Sequence, residues 1–323
     1  MLKSTIVIPT FRRPNDLSRC LQALEQQTQL PSEVIVVVQD EDADTWAMLA
    51  TLKSLPLTLK TVTVRIPGVI AAMNAGVASA TGDFIAFTDD DAAPHPDWLQ
   101  RIETHFLADD RIGGVGGRDA IQRSEPCFES ERAVVGILQW HGRLIGEHHC
   151  GVGTAREVDV LKGVNMSFRR SVFDIFQFDP RFRGKGAQVH FELAFCLALK
   201  RQGWKLIYDP AIVVDHYSAQ RFDEDRRESF NGIAFANAVH NETLALLEHL
   251  SPVQRGVFWL WAVAIGSWQS PGFAQWLRML AKERHLAGGK WLASMQGRWQ
   301  GWQTWKQSRR DRSLSGSTQT IHE

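Results

Sequence analysis

Hydrophobic positions in the first third of the chain fall into short unbroken runs separated by polar turns. Thr5-Ile6-Val7-Ile8-Pro9 is β-branched and stopped by proline, the pattern of a strand covered on both faces. Leu17, Leu21 and Leu24 then recur at i, i+4 and i+7, which predicts one face of an amphipathic helix. Residues 33–38 and 61–66 read as two further strands, 70–80 as a small-residue helix closed by Thr81-Gly82, and 84–88 as a fourth strand. Strand, helix, strand, strand, helix, strand predicts an α/β fold with a mostly parallel sheet flanked by helices. Ligands of such sheets bind beyond the carboxyl ends of the strands. Thr10 and Arg12, Asp40 and Asp42, and Asp89 to Asp91 are therefore expected on one edge of one site.

The fourth strand runs directly into three adjacent aspartates, Asp89-Asp90-Asp91. Carboxylates at the end of a buried strand repel one another and are costly without a partner. A hard divalent cation, Mg2+ or Mn2+, shared with substrate phosphates is the partner that suits oxygen ligands. A solvated acidic turn is the competing reading.

At 323 residues with 44% apolar content, the chain holds one large domain or a domain with an extension. The net charge of zero hides an asymmetry. Residues 251–323 carry ten Lys/Arg against three acidic residues, a net +7, which leaves −7 on residues 1–250. Eight of the twelve tryptophans lie in the same basic segment. The apolar and basic mixture in 257–261 and 276–280, with Trp291, Trp299, Trp302 and Trp305 further on, is that of interfacial helices, so contact with a membrane surface is expected there. Packing of these tryptophans back onto the rest of the chain is the alternative. Boundaries are expected at 222/223 and 306/307: an α/β domain, a helical Trp/Arg-rich extension, and a disordered tail over 307–323. Cys20, Cys127, Cys150 and Cys196 form no CxxC pair and read as reduced thiols. Met1-Leu2-Lys3-Ser4 enters a strand at once, without a signal peptide, and the longest apolar run, 256–267, is short of the ~20 residues that cross a bilayer. The expected location is cytoplasmic, on the cytoplasmic membrane face where the extension makes contact, and no nucleic-acid partner is expected.

Val7-Ile8-Pro9-Thr10-Phe11-Arg12-Arg13-Pro14, the Val34–Val38 run with Asp40, Ala71-Ala72-Met73-Asn74-Ala75-Gly76, and Ala80 to Asp91 together resemble the family 2 glycosyltransferases. Leu161-Lys162-Gly163-Val164-Asn165-Met166-Ser167-Phe168-Arg169-Arg170 looks like that family's acceptor-side segment, and Leu197 to Leu206 like the helix after its catalytic carboxylate. The similarity covers roughly residues 4–217. It implies the GT-A fold, a nucleoside-diphosphate sugar donor, a glycan or lipid-linked acceptor, and inversion at the transferred sugar. By the same resemblance, Asp89 and Asp91 form the DxD metal pair, Asp90 faces the nucleotide, and His216, after the strand 212–215, completes the metal shell. Thr10, Arg12, Asp40 and Asn74 fall on the donor side, with Asp42 competing with Asp40. Family members show Glu-Asp before the catalytic helix, where this chain has His190-Phe191-Glu192. In the preferred register Glu192 is the general base; a shifted register places His190 there. A carboxylate in the first turn of a helix, favoured by the dipole, is the bland reading of Glu192. The chain lacks GxxxxGK[ST] and GxGxxG. A nucleotidyltransferase and a non-catalytic scaffold subunit of a polysaccharide assembly remain as rival readings.

Overall fold

The computed structural model describes residues 1–52, 56–122, 130–225 and 229–319, with side chains to residue 312. It divides into two compact units. The first comprises 1–138, 144–178 and 195–222; the second comprises 139–143, 179–194 and 223–323. Segments 139–143 and 179–194, which the sequence alone assigns to the first domain, thus group with the helical unit.

The first unit starts with β1 (Ser4–Thr10), α1 (Pro14–Glu25), β2 (Glu33–Gln39), α2 (Ala43–Thr51), β3 (Leu59–Val64), α3 (Val69–Ser79) and β4 (Phe84–Phe87). Then come β5 (Ala92–Pro94), α4 (Trp98–Ala108), β6 (Ile112–Ile121), the short pair β7 (Ile137–Leu138) and β8 (Leu144–Ile145), β9 (Arg156–Glu157) and β10 (Met166–Arg169). Helix α5 (Phe191–Arg201), whose residues 191–194 group with the second unit, and β11 (Lys205–His216) complete it. Among the described residues one sheet runs β3-β2-β1-β4-β10-β6-β11-β5, with β9 on β11. β3, β2, β1 and β4 are parallel; β10 is antiparallel to both neighbours; β6 and β11 are parallel. The chain leaves β1 toward β2 on one side and reaches β4 on the other, so the order reverses at β1, where such sheets open a ligand crevice.

The physical reasons are local. Ile6, Val7 and Ile8 in β1 and Val34 to Val38 in β2 are wholly buried, because helices cover both faces. α3 can lie against β1 because Gly76 has no side chain: a Cβ there would meet Val7 Cγ1 at 2.4 Å. α2 was not anticipated between β2 and β3. Asp42 starts it by accepting a hydrogen bond from Thr45 N at 3.2 Å. β6 reads Ile-Gly-Gly-Val-Gly-Gly, a poor strand sequence by propensity. Its glycines are needed for space, since a Cβ on Gly117 would lie 1.9 Å from Ile212 O.

Glu33 locks the β1–β2 pair to the turn before β4. Its Oε1 accepts from Thr5 Oγ1 at 2.6 Å, Thr81 N at 2.6 Å and Thr81 Oγ1 at 2.7 Å, and Lys60 pairs with Oε2. Burial opposes the charge, but these donors prevail and hold the carboxyl down at about 2. A carboxylate more acidic in the fold than in the unfolded chain adds stability above its usual 4.5, and that stability is lost as pH falls toward 2. Glu33→Gln is expected to cost about 2 kcal/mol at pH 7. The gap to wild type should narrow between pH 5 and pH 3.5 in urea unfolding; a gap independent of pH would show that the charge is not the source.

The second unit carries α6 (Gly232–His249), α7 (Pro252–Ala264), α8 (Phe273–Glu283) and α9 (His285–Gln319). α9 continues through 307–319, so that stretch, expected to be disordered, is helical; 320–323 lie outside the described residues. α6 packs along α9, whose Gly297 and Gly301 admit the α6 backbone: a Cβ at Gly297 would meet Ala236 O at 2.4 Å. Among the described residues no helix is long and apolar enough to cross a membrane. Cys20, Cys150 and Cys196 are free thiols; Cys127 lies outside the described residues.

Candidate active site

The carboxyl end of β4 delivers the aspartates into the crevice at the sheet reversal. Asp90 and Asp91 are buried and Asp89 is half-buried. Their surroundings differ. Asp90 Oδ2 accepts from Thr10 Oγ1 at 2.8 Å, and its Oδ1 accepts from Arg13 Nη1 at 2.9 Å. Burial nevertheless pushes Asp90 up to about 7, against the pull of Arg13. Asp91 Oδ2 accepts from Ala219 N at 2.8 Å, and Asp91 Oδ1 lies 3.4 Å from His216 Nε2. Burial works against this carboxylate too, but His216 overcomes it and holds Asp91 at about 2. Asp89 is raised by burial and by the Asp91 charge.

His216 is brought in by β11, which ends beside β6 and β5. Burial lowers its basicity, yet Asp119 and Asp91 outweigh burial and raise it to about 9. A proton on His216, or a cation taking its place, can thus balance Asp91. Asp119, fully buried on β6, accepts from Lys162 Nζ at 2.5 Å and faces His216 Nδ1 at 3.8 Å. The segment after β11 closes over the aspartates through Tyr217 N to Asp91 O at 2.9 Å and Arg13 Nε to Gln220 O at 3.0 Å.

Asp89, Asp91 and His216 can each offer one ligand atom, and those atoms lie within 4.8 Å of one another. Asp91 Oδ1 is buried without a hydrogen-bond partner. Two carboxylates and an imidazole, one oxygen still unsatisfied, suit a divalent cation such as Mn2+ or Mg2+.

Other expected residues fare unequally. Arg13, rather than Arg12, reaches the aspartates. Arg12 adopts a left-handed backbone (φ 57°), keeps its side chain half in solvent 4.0 Å from Glu41, and donates its amide N–H to Asp42 Oδ2. Thr10 lends its hydroxyl to Asp90. Asp42, with its oxygens given to Thr45 N and Arg12 N, is a structural cap. Asp40 stays half-exposed at the end of β2, 3.2 Å from Arg65. Asn74 spends both ends of its amide on the Phe178 backbone, donating to Phe178 O at 2.8 Å and accepting from Phe178 N at 3.0 Å. Asn165 and Arg169 hold the fold. Asn165 accepts from Trp98 Nε1 and donates to Arg118 O and Ile212 O; Arg169 caps carbonyls of Phe106, Asp109 and Ile112.

Glu192, in the second unit, lies half-buried in the first turn of α5. Gln188 and His190 just before it have left-handed backbones (φ 42° and 72°), a strain that clusters at functional segments. Buried Asn241 on α6 pins this segment by donating to Arg183 O at 2.9 Å and Val189 O at 3.1 Å while accepting from Arg183 N at 2.8 Å. Burial lowers the basicity of His190, with Glu242 opposing, so it stays neutral. Asn241 and Asp119 escaped the sequence reading because nothing nearby in the chain marks them, and Lys162, though inside the 161–170 segment, was given no role there; only the fold brings it to Asp119.

The fold is that of the GT-A glycosyltransferases. GalNAc-T7, solved with UDP, GalNAc and Mn2+, superposes with TM-score 0.62 at 15% identity over 81% of this chain and 50% of that one. Staphylococcus aureus TarS 1–349, solved with UDP-GlcNAc, gives 0.54 at 14% over 79% and 70%. Residues 5–176 match Glycosyl transferase family 2, and the chain belongs to that family. It is 25% identical over 225 residues to the glucosyl-dolichyl phosphate glucuronosyltransferase of Haloferax volcanii, covering 67% of this chain and 69% of the relative. It is 33% identical over 120 residues to the hyaluronan synthase of Pasteurella multocida, covering 36% of this chain and 12% of the much longer relative. The protein is a glycosyltransferase.

Proposed function

We propose that the enzyme moves a sugar from a nucleoside-diphosphate donor to a glycan or lipid-linked acceptor, with a divalent cation and inversion at the sugar, in surface polysaccharide or glycolipid synthesis. The observation that carries this reading is the convergence of Asp89, Asp91 and His216, from two strands far apart in sequence, at the carboxyl edge of the sheet. The relatives' names point the same way: one uses a dolichyl phosphate-linked acceptor and one makes a polysaccharide. The titles of the structural neighbours contain UDP or UDP-GlcNAc, so a uridine donor is the first to test.

Asp89, Asp91 and His216 would hold the cation, which when bound would supply Lewis-acid stabilisation of the departing diphosphate. Arg13, already beside Asp90 and Asp91, adds positive charge on the same side. Asp40, half-exposed at the end of β2, accepts from the base or ribose. Glu192 takes the proton from the acceptor hydroxyl as its oxygen bonds to the anomeric carbon; the bond from that carbon to the diphosphate oxygen breaks, and the diphosphate leaves with the electron pair. Glu192 lies in the first turn of α5, where the helix dipole favours a carboxylate.

Calorimetric titration of UDP, GDP and dTDP, with and without Mn2+, tests the donor half of this reading. One nucleotide should bind in the micromolar range with Mn2+ and at least tenfold more weakly without it. Failure of all three to bind would leave the aspartates as an acidic turn and bring the scaffold reading forward.

A further inference from the structure

Residues 182–190 of the second unit form neither helix nor strand, yet they lead straight into α5 and Glu192. Near the end of this loop Gln188 and His190 have left-handed backbones (φ 42° and 72°). Side-chain-bearing residues rarely adopt that conformation, and it persists only where the surroundings fix it. Here the fixing groups can be named.

Asn241 lies within α6 and is wholly buried. Both hydrogens of its Nδ2 are spent on the loop, one on Arg183 O at 2.9 Å and one on Val189 O at 3.1 Å. Its Oδ1 therefore accepts, from Arg183 N at 2.8 Å and from His240 Nδ1 at 2.9 Å. The second of these bonds requires the ring hydrogen of His240 to sit on Nδ1. Burial lowers the basicity of His240 to about 4, so at pH 7 the ring is neutral and Nε2 accepts. Thr304 on α9 supplies the donor: its Oγ1 is 2.9 Å from Nε2, nearer than the 3.1 Å to Gln300 O. Gly301 lets α9 come this close, since a Cβ there would lie 2.8 Å from His240 O. Thr304, His240 and Asn241 thus form one chain of hydrogen bonds that ends on the loop backbone.

The middle of the loop is tied separately. Asp223 Oδ2 accepts from Ala187 N at 3.1 Å, and Glu224 Oε1 accepts from Lys185 N and Asn237 Nδ2, both at 3.2 Å. Gly186 makes room for Asp223, whose Oδ2 would lie 1.8 Å from a Cβ there. The acidic pair holds 185 and 187, and Asn241 holds 183 and 189. A side chain needed only to join α6 to α9 would have no use for the loop carbonyls.

We propose that Asn241, oriented by His240 and Thr304, is a positioning residue for Glu192: it fixes the left-handed turn from which α5 sets out and so the place of the carboxylate in its first turn. The inference rests on the assignment of Glu192 as the base. It adds that the base is set in place by α6 and α9 of the helical unit, which gives that unit a part in the chemistry.

Asn241→Asp keeps the shape of the side chain but cannot donate to the two carbonyls. Diphosphate release is measured on the full chain with Mn2+ and whichever of UDP-, GDP- and dTDP-glucose wild type turns over fastest. Asn241→Asp should lower turnover about a hundredfold and leave Mn2+-supported nucleotide affinity within about twofold of wild type. Amide hydrogen exchange over 183–190 should quicken about tenfold or more, with β1 and β4 unchanged. Because the residue acts through Glu192, the double variant Asn241→Asp/Glu192→Gln should be no more than about threefold slower than Glu192→Gln alone. A milder pair keeps the test open if Asn241→Asp does not fold: Thr304→Val should cost about fivefold in turnover, and Thr304→Ser, which restores the hydroxyl, should stay within about twofold of wild type. The proposal is overturned by wild-type turnover in both Asn241→Asp and Thr304→Val, by losses that multiply in full in the double variant, or by a fall in turnover matched by an equal fall in nucleotide affinity. In each of those cases Glu192→Gln alone remains crippled, so the base assignment stands. Full turnover of Glu192→Gln is the different result that removes the base assignment, and this link with it.

Discussion

Glu192→Gln should lower turnover about a thousandfold while leaving Mn2+-supported nucleotide affinity within twofold of wild type. The substitution keeps the shape of the side chain and its place in the first turn of α5, but the amide cannot take up a proton. The split between chemistry and binding is what separates a general base from the alternatives. A carboxylate that only satisfies the helix dipole would give a loss of a few tenths of a kcal/mol in stability and no comparable loss of rate. A scaffold subunit would show no turnover to lose. The rate of diphosphate release with saturating donor, measured beside calorimetric affinity, reads both quantities. Turnover of Glu192→Gln equal to wild type would remove Glu192 as the base and move attention to His190 two residues back, which the shifted register favours and whose basicity burial lowers.

The strand that ends in three aspartates could be read from sequence because each step has a local cause. Val, Ile and Phe runs covered on both faces have no periodicity to confuse, and proline and Thr-Gly mark where they stop. That Thr10 meets the aspartates follows from one rule about parallel sheets. The right half of the sheet was harder to read. β6 is made of glycines whose purpose is to let Asn165 and Ile212 approach, a requirement set by residues 49 and 95 positions beyond Gly116 and Gly117. Asn165 carried a motif-like look and proved to be the hub between Trp98, Arg118 and Ile212. Arg12 and Arg13 were indistinguishable as letters; the left-handed turn at Arg12 sends it outward and leaves Arg13 to the aspartates. His216 depended on where β11 ends, and Asp119 behind it on the pairing of β6 with β11. Hydrophobic pattern fixes elements, whereas the partners of buried charges come from tertiary pairing.

Asp91→Asn should weaken Mn2+ binding at least a hundredfold and cut turnover by about a thousandfold. Of the three aspartates this one is chosen because the surroundings keep it ionised. Asp90 sits near 7, committed to Thr10 and Arg13, and Asp89 is raised by the charge of its neighbour. Asp91 is held at about 2 and keeps one buried oxygen without a hydrogen bond, the combination a cation ligand requires. Asparagine preserves the oxygen that accepts from Ala219 N, so the segment after β11 can stay in place. It removes the charge opposite His216, whose raised basicity should then fall toward the ordinary imidazole range. Asp90→Asn is the matched control: it removes the carboxylate of the preceding residue in the same turn, which has no part in the Asp89, Asp91 and His216 group. It should disturb the Arg13 contact and cost less than tenfold in Mn2+ affinity. Equal losses from the two variants, in Mn2+ titrations followed by the electron paramagnetic resonance of the free ion, would mean that the aspartates act as an undifferentiated acidic patch. Asp91 alone carrying the loss would mark it as the ligand on which the donor diphosphate's departure depends.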